Sequence, residues 1–96
     1  MKERTRTALF DLGQLVATPG ALAALEKAGE SAQEFLSRHQ RGDWGDLCDE
    51  DRQENQFSLE RGFRILSEYH TSAGEALYVI TEADRSVTTV LLPCEY

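Results

Sequence analysis

The sequence predicts an α+β domain: a short N-terminal strand, three helices, then a three-stranded antiparallel meander with the helices packed on one face. Three observations carry this expectation. Residues 19–61 place small and apolar side chains at helical spacing, between recognisable start and stop signals. Residues 63–92 are rich in β-branched and aromatic residues, interrupted by short polar turns. The chain has 96 residues with no internal repeat, which is the length of one domain. Residues 1–9 read as a frayed N-terminal arm and 10–96 as a single α+β domain.

Phe10 to Ala17 reads as the first strand. Thr18-Pro19-Gly20 follows as a helix start, because Thr18 can cap and Pro19 suits the first helical position. Ala21, Leu22, Ala24, Leu25 and Ala28 then recur at helical spacing, and Gly29 is the stop. Ser31-Ala32-Gln33-Glu34 matches a capping box, with Phe35, Leu36 and His39 on one stripe behind it. After the loop Gly42-Asp43-Trp44-Gly45-Asp46-Leu47-Cys48, a third helix is expected from Asp49 to Arg61. Acids crowd its first turn, where the helix dipole favours them, and Gly62 is its stop. Three strands follow at Phe63–Tyr69, Ala76–Thr81 and Val87–Leu92. The middle one is apolar on both sides and is placed centrally, and Pro93 ends the last.

Apolar residues make up 41% of the chain and charged residues 28%, values of a folded globule rather than a disordered chain. Two cysteines 46 residues apart cannot form a disulfide scaffold. No apolar run is long enough for a membrane span, and Met1-Lys2-Glu3-Arg4-Thr5-Arg6 has no apolar segment behind it to make a signal peptide. The expectation is a small soluble cytoplasmic protein.

Charge supplies the first functional argument. The net charge is -7, and it is uneven. Residues 1–48 hold six bases and seven acids, and residues 49–96 hold four and ten. Between Asp43 and Glu60 seven acids stand against the single base Arg52. Such a patch repels phosphate, which argues against direct nucleic-acid binding, and it attracts a basic protein surface. The candidate partner-binding residues are therefore Asp43, Trp44, Asp46, Asp49, Glu50, Asp51 and Glu54. Trp44 is included because tryptophan is enriched in binding hot spots, although a core plug is the plainer role for a lone tryptophan. Arg85 joins them as a base presented by the Glu82–Ser86 turn, where pairing with Glu82 or Asp84 is the plainer reading.

Signs of catalysis are weak. His39, Cys48, His70 and Cys94 are spaced 9, 22 and 24 residues apart, unlike the close ligand pairs of zinc sites. No nucleophile elbow and no glycine-rich phosphate loop is present. One thiol is expected to be buried and the other partly exposed. His39 is expected to be a packing histidine and His70 to be solvated. Neither an enzyme nor a cofactor protein is expected.

One resemblance adds context. Leu12-Gly13-Gln14-Leu15-Val16-Ala17-Thr18-Pro19-Gly20-Ala21-Leu22, Gly42-Asp43-Trp44-Gly45, Ser67-x-Tyr69 and Ile80-Thr81-Glu82-Ala83-Asp84-Arg85-Ser86-x-Thr88-Thr89-x-Leu91-Leu92-Pro93-x-Glu95-Tyr96 occur together. Over residues 10–96 the chain resembles a family of small uncharacterised bacterial proteins encoded on plasmids and integrated mobile elements. The family's motifs carry no assigned chemistry. The resemblance implies a protein that binds host machinery, such as an anti-CRISPR or anti-restriction inhibitor of a nucleic-acid-binding defence effector. Two other readings stand beside it. One is an accessory module that forms a homodimer through the edge of its last strand. The other is a small metal-dependent enzyme using His39, His70, Cys48 or the acids of residues 43–51.

Overall fold

The computed structural model describes residues 8–96. Its elements are β1 (Gln14–Ala17), α1 (Pro19–Ala28), α2 (Ala32–Gln40), α3 (Asp49–Arg61), β2 (Ile65–His70), β3 (Ala76–Thr81) and β4 (Val87–Leu91), closed by a 3-10 turn at Pro93–Glu95. The α+β class and the three helices follow the sequence reading. No helix among the described residues is long and apolar enough to cross a membrane.

Most local signals act as expected. The Thr18 hydroxyl accepts from the Ala21 amide at 3.1 Å, Pro19 opens α1, and Gly29 closes it in the left-handed conformation. Gly62 closes α3 in the same way. Ser31 departs from expectation, because its side chain makes no capping bond and no Ser31–Glu34 box forms. The first strand is also shorter than predicted. Gly13 takes a φ of 68°, which breaks the extended run, so only Gln14–Ala17 remain a strand. Residues 1–7 of the expected arm lie outside the described residues, and Leu9 is tied down by its amide on the Gln40 carbonyl at 2.8 Å.

The sheet corrects the expected architecture. It has four strands in the order β1-β4-β3-β2 and is mixed rather than a three-stranded meander. β2, β3 and β4 pair antiparallel in succession, and β1 joins parallel to β4, with Leu15 beside Thr88 and Ala17 beside Val90. The last strand is therefore internal, and the expected homodimer through its edge has no edge to use. The two outer strands are β1 and β2.

Helices α1 and α2 cover one face. Ala21, Ala24 and Leu25 of α1 and Phe35 and Leu36 of α2 pack on Tyr69, Leu77, Val79 and Val90. Alanines at the contact positions of α1 let it lie close to the strands, and every side chain in this cluster is nearly water-free. Helix α3 behaves differently, so the helices do not all share one face. It lies against the outer side of β2, where Asn55 donates to the Leu66 carbonyl at 2.6 Å and accepts from the Leu66 amide at 3.2 Å. The loop before α3 continues the same edge: Asp46 donates its amide to the Glu68 carbonyl and Glu68 donates to the Trp44 carbonyl. An outer strand is thus supplied with partners by one side chain and one loop.

Candidate functional site

The candidate acidic site starts from the Gly42–Cys48 loop. Gly42 and Gly45 both take positive φ, at 88° and 77°, which lets the chain fold back on β2 within a few residues. Asp43 locks the turn. Its carboxylate takes the Arg38 guanidinium at 2.8 Å and the Gly45 amide at 3.2 Å, and its carbonyl accepts the Tyr69 hydroxyl at 2.6 Å. The Arg38 hydrogen bond, aided by the Gly45 amide, holds the Asp43 carboxyl below the usual carboxylate range against the opposing effect of partial burial. Burial pushes the Tyr69 phenol up to about 12. Asp43 is exposed, yet its carboxylate and its carbonyl are spent on holding the loop.

Trp44 is spent on the fold as well. It is 5% exposed, packed with Leu47 and Ile65, stacked on Phe10 and set edge-on to His39. As a partner-contact residue it is corrected: an indole enclosed by three sides of the core offers no surface. Arg85 is corrected for a related reason. Its guanidinium donates to the carbonyls of Phe63, Glu82, Ala83 and Ser58 and lies over the Phe10 ring. It ties the β3–β4 turn to the C-terminal end of α3. The expected pairing of Arg85 with Glu82 or Asp84 is not formed, and Glu82 faces Arg64 at 3.7 Å instead.

The remaining candidates are exposed. Asp46 pairs with His70 at 2.8 Å. Asp49, Glu50, Asp51 and Glu54 lie on the first half of α3. Among the described residues no cation pairs with any of these four. Arg52, the one base among them, is turned to the backbone, donating to the carbonyls of Leu47 at 3.0 Å and Gly45 at 2.6 Å. A shallow groove of ≈ 300 Å³ runs beside them, lined by Leu47, Asp51, Glu54, Asn55, Arg64 and Leu66. Its charged rim and open side suit a polar protein contact better than a small apolar ligand.

The sequence reading missed a second polar feature. His39 is fully buried, and its Nδ1 lies 2.6 Å from Ser67 Oγ and its Nε2 2.9 Å from Thr81 Oγ1. Thr81 Oγ1 lies 2.7 Å from Thr88 Oγ1, which donates to the Leu12 carbonyl at 2.7 Å. That carbonyl can only accept, so every proton in the chain is assigned. Thr88 gives its proton to Leu12, Thr81 gives its proton to Thr88, and Thr81 must then accept from Nε2–H. Burial disfavours a second proton on the ring, so Nδ1 is the acceptor for the Ser67 hydroxyl. The histidine is neutral with its proton on Nε2. Burial, and secondarily the nearby Arg85 charge, lowers its pKa to about 3. This line of bonds joins the segment that leads into β1, then β4, β3, α2 and β2, and has no opening to solvent at His39. The signal was present in the sequence: Ser67, Thr81 and Thr88 share the strand phase of Ile65, Tyr69, Leu77, Val79 and Val90.

Cys48 and Cys94 are both exposed, where one thiol was expected in the core. Among the described residues no three His, Cys, Asp or Glu side chains are grouped so as to hold a metal ion. Compared with known protein families, curated proteins and solved structures, the chain matches none.

Proposed function

We propose that this protein works by binding, using the exposed acids of α3 to dock on a basic protein surface. The observation that carries this reading is the set Asp49, Glu50, Asp51 and Glu54: four carboxylates on one helical segment, without a cationic partner among the described residues, while the neighbouring base Arg52 is used on carbonyls. Asn55 and Ser58 face inward and anchor the helix, so the acids ride on a fixed support. Rigid placement matters because ordering flexible side chains and loops costs affinity. Asp46 extends the surface, and Trp44, Asp43 and Arg85 serve by holding the loop and the helix end in place.

The resemblance to plasmid and mobile-element proteins supports a choice of partner. A protein that normally holds nucleic acid presents a basic groove, and a defence effector of that kind is the natural target for an acidic inhibitor. Capture from host lysate at low and at high salt tests the reading. A partner held at low salt is expected to leave at high salt, since exposed charges are screened within about 8–10 Å at physiological ionic strength. The variant Asp49→Lys/Asp51→Lys/Glu54→Lys, exposed at all three positions, is expected to stay folded at a cost of roughly 1–2 kcal/mol from the helix dipole, checked by its circular dichroism spectrum, and to lose the partner. Equal capture by wild type and variant would end this proposal.

A further inference from the structure

The two edges of the sheet are treated in opposite ways. On β2 the outward-facing groups of Leu66 and Glu68 are occupied by Asn55 and by the 44–46 loop. On β1 the Gln14 amide donates inward to Ser86 and the Thr18 amide inward to Val90. Residues 14, 16 and 18 therefore face β4, and the amides and carbonyls of Leu15 and Ala17 point outward. Among the described residues nothing pairs with them. The strand is short, but a lysine, a proline or a bulge that would protect such an edge is missing from Gln14–Ala17. Leu15 and Val16 are instead 51% and 41% exposed.

We propose that β1 is a homodimer edge, pairing antiparallel with β1 of a second copy about a two-fold axis at Val16. This goes beyond the acidic-face reading and does not depend on it. The outward groups set the register. Leu15 of one copy exchanges two hydrogen bonds with Ala17 of the other, and symmetry repeats the pair, giving four bonds with Val16 facing its own mate. Gly13, at φ 68°, is not extended and cannot supply the alternative register centred on Leu15.

Shape and charge both fit a second copy. Leu15 and Ala17 point to the helix side of the sheet, since they lie beside Thr88 and Val90. Next to Ala17 is an apolar groove of ≈ 210 Å³, floored by Val90 and walled by Ala32 and Leu36 of α2. In the paired register, Leu15 of each copy stands opposite Ala17 of its mate and enters that groove. A large side chain thus meets a small one, twice. Residues 12–25 also carry no charge in a molecule of net charge -7. A basic partner is drawn to α3, whereas two like-charged copies can meet along a β1 strand that carries no charge of its own, with the Glu95 carboxylate only at its Thr18 end. Three paired residues per strand and four hydrogen bonds make a modest contact, so the dimer should be concentration-dependent.

Sedimentation velocity over a dilution series, joined to cross-linking, tests this. Wild type is expected to move from monomer to dimer as concentration rises. Val16→Lys places two like charges at the axis and is expected to remain monomeric while keeping the wild-type circular dichroism spectrum. With Cys48→Ser and Cys94→Ser removing the exposed thiols, Val16→Cys is expected to oxidise to a covalent dimer. Facing residues of a non-hydrogen-bonded antiparallel pair stand about 4.5 Å apart at Cα, within disulfide range. Phe57→Cys, on α3 beyond the other edge, is the control and is expected to stay monomeric. The proposal is overturned by a wild type that is monomeric at every concentration, which leaves the edge to a strand from a different protein. It is equally overturned by a Val16→Lys dimer, or by Val16→Cys cross-linking no faster than Phe57→Cys.

Discussion

Replacing His39 with leucine is expected to destabilise the fold by about 3 kcal/mol, because the buried Ser67 hydroxyl loses its partner and Thr81, still bonded to Thr88, loses the donor it accepts from, at roughly 1–3 kcal/mol for each unmet group. For a domain of this size that is a large share of a total of about 5–10 kcal/mol, and it lowers the melting temperature by roughly 12–24 °C. The imidazole fills a closed site between Phe10, Trp44 and the strands, so leucine answers most of the volume and none of the polarity. Removing the orphaned groups as well separates the two effects. The triple variant His39→Leu/Ser67→Ala/Thr81→Val is expected to recover much of the loss, since an apolar replacement of both sides of a buried polar pair can be nearly neutral. Thermal melts of the three proteins check this. A triple variant less stable than the single one would refute the assignment of the loss to unpaired hydroxyls.

The same histidine sets a pH response. Its pKa is about 3 in the folded protein against an ordinary 6.5. The unfolded chain therefore binds the proton first as pH falls, and stability declines from pH 6.5 downward until about pH 3. Well above pH 6.5 the group is neutral in both states and contributes no slope. Between pH 6.5 and 5 the expected loss is about 2 kcal/mol. Asp43, Asp84 and Glu95 are held below their ordinary values, so their contributions are present above the carboxylate range and are lost as pH falls through it, on top of the histidine slope. Denaturant titrations across pH 5 to 7 should show the slope in wild type and not in the His39→Leu variant.

Gly45→Ala is expected to cost roughly 3 kcal/mol or more through strain and broken pairing. At φ 77° an L side chain is strained, and the added Cβ would overlap the Glu68 carbonyl and sit 2.6 Å from the Tyr69 ring. The carbonyl belongs to the sheet and cannot retreat, so the loop must lift. Lifting breaks the Asp46–Glu68 and Glu68–Trp44 bonds and loosens the seat of Trp44. The effect has a spectroscopic signature as well as a thermal one: Trp44 emission should shift to the red as its ring meets water. Gly29→Ala is the control, with a similar φ of 69° and open space around its added Cβ, and it should cost only the backbone strain. Equal losses at the two glycines would refute the steric argument at Gly45.

Asp43–Glu60 therefore divides into two kinds of residue. Asp43, Trp44 and Arg52 spend their chemistry on the loop itself, by an ion pair, by burial and by carbonyl bonds. Asp49, Glu50, Asp51 and Glu54 do not, and on the proposed reading they are the surface a partner meets. If β1 pairs as proposed, that surface is displayed twice on one particle, and two weak contacts act together when the target has matching sites.

What the sequence determined by itself is local. Thr18, Gly29 and Gly62 set helix ends because capping and left-handed glycine are decided within a few residues, and the bounds of α3 follow from them. The β-branched runs named the three C-terminal strands for the same reason. Even the inward phase of His39 was readable from its helical stripe. Only the tertiary structure decided that β1 pairs with β4, some seventy residues away. Period-2 patterning tells a strand which face is buried and is silent about its neighbour. Burial of Trp44, the carbonyl bonds of Arg85 and the Ser67–His39–Thr81–Thr88 line likewise join segments far apart in the chain. Charge could mark the acidic segment from composition alone. Which acids are left unpaired depends on where each neighbouring cation's hydrogen bonds go, and that is settled only when the chain has closed around them.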